Sequence, residues 1–288
     1  MKQRMDAEIV MLGDTPVVKM EPFEETGHFD VLCRNLHTLV GIPANGVNYD
    51  YINQKNLIPT QLNYSSVAVI EEVAHSCSDL FQIGDKIVIT PYLKKYIGIE
   101  NLKKGQRIIY RKVCSGIDDV DNLFFPMLCN SLALMDEIAD YEKILFLGCN
   151  LTGSLLLKLL REKNISPIIH LDELDISEKL IYKNGVDRVF AFHDNGFYEM
   201  LEECEVIVLN SCRERVVDEI QRMHPHIPIV RGKQWNKEHE NRAFDILKQQ
   251  MISFEDFISH HEHAENISIL TEEMKINKYK GKAIIFDW

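Results

Sequence analysis

Lys143-Ile-Leu-Phe-Leu-Gly-Cys-Asn-Leu-Thr-Gly153 decides the fold. Residues 143–147 read as one strand ended by Gly148, and a near-continuous apolar run suits a strand buried on both faces of a parallel sheet. From Gly153 the spacing turns helical, with Leu156, Leu159 and Leu160 lining one face. A second buried strand is predicted at 167–171, then a helix over 177–184 with Gly185 at its C-cap. Short strands recur at 188–191, 206–209 and 227–230. Strands alternating with helices mean βαβ units and a doubly wound sheet.

Upstream of that unit, residues 123–138 read as helix, and the first third of the chain reads as an all-β module of about a hundred residues. Residues 9–12, 17–20, 31–35, 67–73 and 87–90 are short, β-prone and broken by turn residues such as Gly84-Asp85. Downstream, helices are expected at 240–250 and 265–275 and a last strand at 282–286. The expected fold class is therefore α/β: a β-rich N-terminal domain, a doubly wound parallel sheet, and a C-terminal return segment. A chain of 288 residues accommodates two domains at a prior of about 150 residues each.

Gly148-Cys-Asn-Leu-Thr-Gly153 lies between a predicted strand and a predicted helix, with Asp172 at the end of the next strand, 24 positions after Gly148. This order is that of a dinucleotide site. There the first glycine makes the tight turn, the helix N-terminus faces the pyrophosphate, the last glycine lets helix and strand approach, and the acid takes the ribose hydroxyls. An Asp at 172 favours NAD over NADP, with Lys179 and Lys183 nearby keeping NADP open. The middle position is Asn150 instead of glycine. Asn tolerates positive φ better than most residues, but its side chain can crowd a pyrophosphate. Two readings follow: a working nucleotide site, or a βαβ unit that no longer binds one. Strand ends rim the crevice, so Leu151, Asn210, Ser211 and Arg231 join Gly148, Asn150, Gly153 and Asp172 as candidate cofactor contacts.

Charge and cysteines narrow the class. Lys and Arg number 32 against 44 Asp and Glu, a net charge of −12, which argues against nucleic acid or an anionic membrane as the partner. Cys33, Cys77, Cys114, Cys129, Cys149, Cys204 and Cys212 are odd in number and include no C-x-x-C, so neither a disulfide framework nor a structural zinc cluster is expected. Free thiols, no signal-peptide pattern and no apolar run of about 18 residues point to a cytoplasmic protein.

With these motifs in order, the chain resembles the medium-chain dehydrogenase/reductase superfamily, the alcohol dehydrogenase and quinone oxidoreductase group. The carrying stretches are Val67-Ala-Val-Ile-Glu-Glu-Val73 before Phe81-Gln-Ile-Gly-Asp-Lys-Ile87, Asp172 with Ser177-Glu-Lys-Leu and Asn184-Gly185-Val186-Asp187, then Arg242-Ala-Phe-Asp-Ile-Leu, Ile258-Ser-His260 and Gly281-Lys-Ala-Ile-Ile285. The resemblance implies a GroES-like domain at 1–122 and 245–288 and a shortened Rossmann domain at 123–244.

It is nearest to zinc-lacking branches, similar to bacteriochlorophyllide-dehydrogenase-like and two-domain oxidoreductases. Their likeness rests on Val31-Leu-Cys-Arg-Asn-Leu-His-Thr-Leu39 and Leu62-Asn-Tyr-Ser-Ser-Val67. Where zinc members carry a ligand Cys and a ligand His, this chain has Gly41 and Tyr64, and Phe125-Pro126 falls near the third ligand. Pro43-Ala44 falls where the proton path would have a hydroxyl. The family's sixth strand, which pairs sheets across a dimer, has no evident counterpart after Val230. A monomer, or a dimer built otherwise, is expected.

The implied activity is zinc-independent hydride transfer between NAD (NADP possible) and a small carbonyl, alcohol or activated alkene. Tyr64 is the leading proton donor, because a phenol can polarise a carbonyl or protonate an enolate. Its bland alternative is an apolar wall with a satisfied hydroxyl. Asn48 and Tyr49 resemble a turn that touches cofactor or substrate in quinone oxidoreductases. Tyr92 follows a strand and is a further cleft candidate. His260-His-Glu-His263 invites a metal reading, but no partner cluster is visible in the sequence, and a solvated loop is expected there. Cys149 is expected to be a packed small residue. A degenerate binding or scaffold relative is the competing function class.

Overall fold

The computed structural model describes residues 4–12, 15–23, 29–41, 63–89, 92–100, 102, 109–113, 116–165, 167–171, 186, 188–191, 196–210, 214–232, 234–268 and 282–288. Its strands are β1 (Met5–Leu12), β2 (Thr15–Pro22), β3 (Val31–Gly41), β4 (Asn63–Val73), β5 (Lys86–Ile89), β6 (Tyr96–Ile99), β7 (Ile109–Lys112), β8 (Ile144–Leu147), β9 (Ile168–Leu171), β10 (Arg188–Ala191), β11 (Val206–Leu209), β12 (Ile229–Arg231), β13 (Ile258–His263) and β14 (Ala283–Asp287). Its helices are α1 (Asp119–Asn122), α2 (Phe125–Glu137), α3 (Leu151–Glu162), α4 (Phe197–Leu201), α5 (Glu214–Met223) and α6 (Lys237–Lys248).

Three sheets result. β1 and β2 form an antiparallel ribbon, anchored by Ile9 N–H to Leu93 O (3.0 Å) and Lys95 N–H to Ala7 O (2.8 Å). A seven-stranded sheet runs β13-β14-β3-β4-β5-β7, with β6 also on β3. All its pairs are antiparallel except β13 with β14. The third sheet is parallel, in the order β10-β9-β8-β11-β12. Its own strands thus run 3-2-1-4-5, with the reversal of direction between β8 and β11, where a doubly wound sheet opens a crevice. The expected α/β class, with a β-rich region, a parallel sheet and a C-terminal strand returning to the first sheet, is what the chain adopts. Among the described residues the parallel sheet ends at β12, without a sixth strand beyond it.

One buried cluster joins the two large sheets. It takes Leu39, Val67, Val88 and Ile285 from the antiparallel sheet and Phe146, Ile169 and Val208 from the parallel one, with α2 and α3 between. A second cluster, with Leu145, Leu147 and Ile207, covers the other face of the parallel sheet against α4 and α5. Burial on both faces explains the Ile-Leu-Phe-Leu run of β8. Arg111 of β7 lays its guanidinium 3.5 Å from the centroid of the Phe244 ring, linking sheet to α6.

The helix predicted over 123–138 is found as α2, which starts two residues later because Phe124 is its N-cap and Pro126 sits in its first turn. The expected helix over 265–275 begins as a short 3-10 turn at Ala264–Asn266, and its remainder from 269 lies outside the described residues. The helix expected at 177–184 lies wholly outside them. No described helix is long and apolar enough to cross a membrane.

α2 and α6 are clamped at their ends. Asn236 caps α6, and the His239 Nδ1 accepts the Asn236 N–H (2.9 Å). That leaves the His239 Nε2 as the protonated nitrogen, 3.1 Å from Asp136 Oδ2. Arg242 donates to the same oxygen at 2.5 Å. Partial burial alone would raise the Asp136 pKa, but Arg242 and then His239 outweigh it and hold the carboxyl below its usual range. A depressed folded-state pKa stabilises above the unfolded value and is lost as pH falls through the folded one. Asp136→Asn is therefore expected to lower stability at neutral pH and to flatten the acid limb of the stability curve. Urea midpoints measured from pH 7 to pH 3 check this, and an unchanged acid slope would count against the clamp.

Candidate active site

The crevice is built from the C-terminal ends of β8 and β11 and the start of α3. Gly148 has φ +73, a left-handed conformation that favours glycine, and it turns the chain off β8. Asn150 has φ −91 and ψ −173, ordinary extended backbone. The expectation that Asn serves here through tolerance of positive φ is corrected: it serves as the N-cap of α3. Its Oδ1 accepts the Gly153 N–H at 3.0 Å, satisfying one of the donors a helix start leaves free.

Asn210, just past β11, completes the arrangement. Its own N–H donates to Leu147 O (3.1 Å), extending the β8–β11 pairing. Its Oδ1 accepts the Asn150 N–H at 2.8 Å, and Asn150 Nδ2 donates back to Asn210 O at 3.3 Å. Asn150 and Asn210 therefore bridge the two strands across the switch point. A Cβ added at Gly153 would stand 2.7 Å from Asn210 Oδ1 and 2.8 Å from its Cγ. The expectation that Gly153 spares the helix–strand backbone contact is refined: the close neighbour is the Asn210 side chain.

The turn fits a phosphate in part. It presents a helix N-terminus at a glycine turn, but two backbone donors there, Asn150 and Gly153, already have acceptors. Leu151 and Thr152 are the remaining first-turn positions. Leu151 is buried and Thr152 half-buried. Cys149 is buried, its Sγ 3.4 Å from Ser154 Oγ.

The other named positions divide as follows. Arg231 ends β12 and is exposed. Gly41 ends β3, and Phe125 and Pro126 open α2 and are buried. Tyr64 lies on β4, but its side chain is outside the described residues. Asn48, Tyr49, Asp172, Ser211 and Cys212 lie outside them too. Tyr92 lines a cavity of about 570 Å³ with Asp6, Glu21, Phe23, Lys94 and Tyr96. Burial pushes the Cys204 thiol up to about 11, with Glu203 adding to it, and burial likewise raises Cys33. Neither suits a nucleophile.

The solvated loop expected at 260–263 is overturned. These residues are in β13, parallel to β14. His261 Nε2 lies 2.8 Å from Asp287 Oδ1, and His37 Nδ1 of β3 lies 2.6 Å from the same oxygen. His37 and Asp287 were not legible as partners of the histidine run, since they stand 224 and 26 positions away. The one sequence signal is Asp287, a charged residue at the end of an otherwise apolar strand.

No family model matches the chain, and no curated protein matches it. Solved structures do. A short chain alcohol dehydrogenase (rspB) from E. coli CFT073, complexed with the cofactor NADH, superposes with a TM-score of 0.73 at 10% identity over 99% of both chains. A putative zinc-binding dehydrogenase (gutB) from Clostridium scindens gives 0.68 at 12%, also over 99% of both. S. aureus TarJ in complex with NADPH gives 0.63 at 14%, over 99% of both. Identities this low establish a shared fold.

Proposed function

We propose that this chain is an oxidoreductase that binds NAD(H) in the β8–β11 crevice and exchanges a hydride with a small carbonyl, alcohol or activated alkene. The observation that carries the reading is the Gly148–Gly153 turn, which opens α3 at the switch point of a 3-2-1-4-5 parallel sheet. Neighbours of the same fold that hold NADH or NADPH support it. In this reading residues 123–244 form the dinucleotide domain, and 1–122 with 245–288 form the substrate domain. The nicotinamide supplies the hydride. The helix start at Leu151 and Thr152 orients the phosphates, Asp172 selects the unphosphorylated ribose, and Tyr64 moves the proton. Gly41 and Tyr64, standing where zinc members place thiolate and imidazole, support proton transfer without a metal at those positions. The partner is a small molecule, and the edge at β12 supports a monomer or a dimer assembled elsewhere.

A second reading is favoured by the Asn150–Asn210 bridge: a relative that keeps the fold as a scaffold. Fluorescence titration separates the two. Micromolar NADH binding with weaker NADPH is expected. Absence of binding for both would replace the enzyme by the scaffold.

The bridge carries its own prediction. Asn210 Oδ1 holds a donor that a pyrophosphate oxygen would otherwise take. Asn210→Ala should cost about 1 kcal/mol of stability without ligand. It should raise NADH affinity by up to about fivefold, since a donor is released. A thermal melt and an NADH titration on the same variant check both signs.

A further inference from the structure

We infer that His37, His261 and Asp287 form a binding site for a zinc-type divalent ion, separate from the crevice. The three residues come from three adjacent strands, β3, β13 and β14, at positions far apart in the chain. His37 and Asp287 are directly paired across the β3–β14 ladder, which places their side chains together by register. One ligand atom from each residue lies within 4.8 Å of the other two. The imidazole rings meet edge to face at 5.9 Å, both aimed at one carboxylate oxygen. Side-chain exposures of 22% for His37, 31% for Asp287 and 43% for His261 leave the group open to an ion from solvent.

Two imidazoles and a carboxylate are the donor set of three-ligand zinc sites, with water as the fourth ligand. Tetrahedral bonds of about 2.1 Å put neighbouring ligand atoms about 3.4 Å apart. The present separations of 2.6 and 2.8 Å are hydrogen-bond lengths, so each imidazole now shares a proton with Asp287. An ion would replace those protons and open the contacts by roughly 0.6–0.8 Å, within reach of side-chain rotation. The backbone under the carboxylate is fixed. The Trp288 N–H donates to Leu36 O (3.1 Å), and Trp288 Nε1 donates to Thr38 Oγ1 (3.0 Å), pinning the end of β14 to β3. Asp287 also lines a cavity of about 340 Å³ with His263, Glu265 and Trp288, which admits the water ligand. An ion here clips the last strand to β3 and β13, closing a loop of 250 positions between His37 and Asp287.

Cobalt(II) and zinc titrations of the whole chain, after chelation and dialysis, test the site. Cobalt should give a visible d–d band that saturates at one ion per chain, is displaced by zinc, and accompanies a rise in the thermal midpoint. His261→Gln and Asp287→Asn, near-isosteric changes chosen to keep the fold, should each weaken binding by at least about 10–100-fold, the range that loss of even an outer-shell partner costs. His263→Ala and His224→Ala should bind as the parent does. Retention of the cobalt band by His261→Gln or Asp287→Asn, with circular dichroism unchanged, would overturn the assignment, as would absence of a saturable band in the parent. If a variant fails to fold, His37→Gln supplies the third arm.

Discussion

Gly153→Ala is expected to destabilise the parent chain yet stabilise the Asn210→Ala background. In the parent, the new Cβ meets three atoms of the Asn210 amide at 2.7, 2.8 and 2.9 Å. Such distances force a shift. The amide cannot swing away freely, because its Oδ1 holds the Asn150 N–H. Overpacking of this kind costs about 1–3 kcal/mol, more than the roughly 1 kcal/mol that alanine gains over glycine inside a helix. With Asn210 cut to alanine the obstacle is gone and the propensity gain is left. The sign therefore reverses between backgrounds, a coupling that a double-mutant cycle isolates. Gly153→Val adds branching atoms at the same place and should also weaken NADH binding by at least about fivefold, as one kcal/mol or more of displaced crevice wall implies. Additive midpoints across the cycle would show that Asn210 is not the neighbour that matters.

The fold was legible where hydrophobic period and turn chemistry agreed. β8, β9, β10 and β11 lie within a residue of their predicted spans, because apolar runs of that length between Gly and Asp leave few alternatives. β6 and β7 were missed. Tyr96-Ile-Gly-Ile99 is short and contains a glycine, and its β state rests on pairing with β3, a tertiary effect. β13 was misread because Ile-Ser-His-His-Glu-His has the composition of a loop. Backbone pairing with β14, buried from Ala283 to Phe286, overrides that composition.

At the site, the glycine turn was legible because its spacing has a local cause. The role of Asn150 was legible only by halves. Its departure from glycine stands in the sequence, but an N-cap and a strand-end bridge depend on Asn210, 60 positions away. Long-range side-chain pairs leave no period to read. The same holds for Asp136 with His239, and for His37 with Asp287.

Phe124→Ala is expected to lower stability by about 3–5 kcal/mol, and to do so for both large sheets at once. Phe124 is fully buried and stacks on Phe254 with centroids 4.4 Å apart and planes at 17°, with Phe257 at 6.5 Å. Its backbone neighbour Leu123 accepts a hydrogen bond from Ser65 Oγ of β4 at 2.5 Å, so the residue sits where the antiparallel sheet meets α2. Truncation leaves a cavity between aromatic walls that cannot collapse without moving α2. Because the cluster containing Phe124 reaches from Leu39 and Val67 to Phe146 and Val208, the loss is shared by both sheets. The chain's two tryptophans make this measurable. Trp235 packs between β12 and α6, against the joint core, and Trp288 follows β14 on the antiparallel sheet. Single-tryptophan forms (Trp235→Phe or Trp288→Phe) should show one common denaturant midpoint, and Phe124→Ala should move both by the same amount. Phe124→Leu should cost less, since it refills most of the volume. A shift confined to Trp288 would mean that the two sheets hold separate cores, and the crevice would then owe nothing to the β-rich half of the chain.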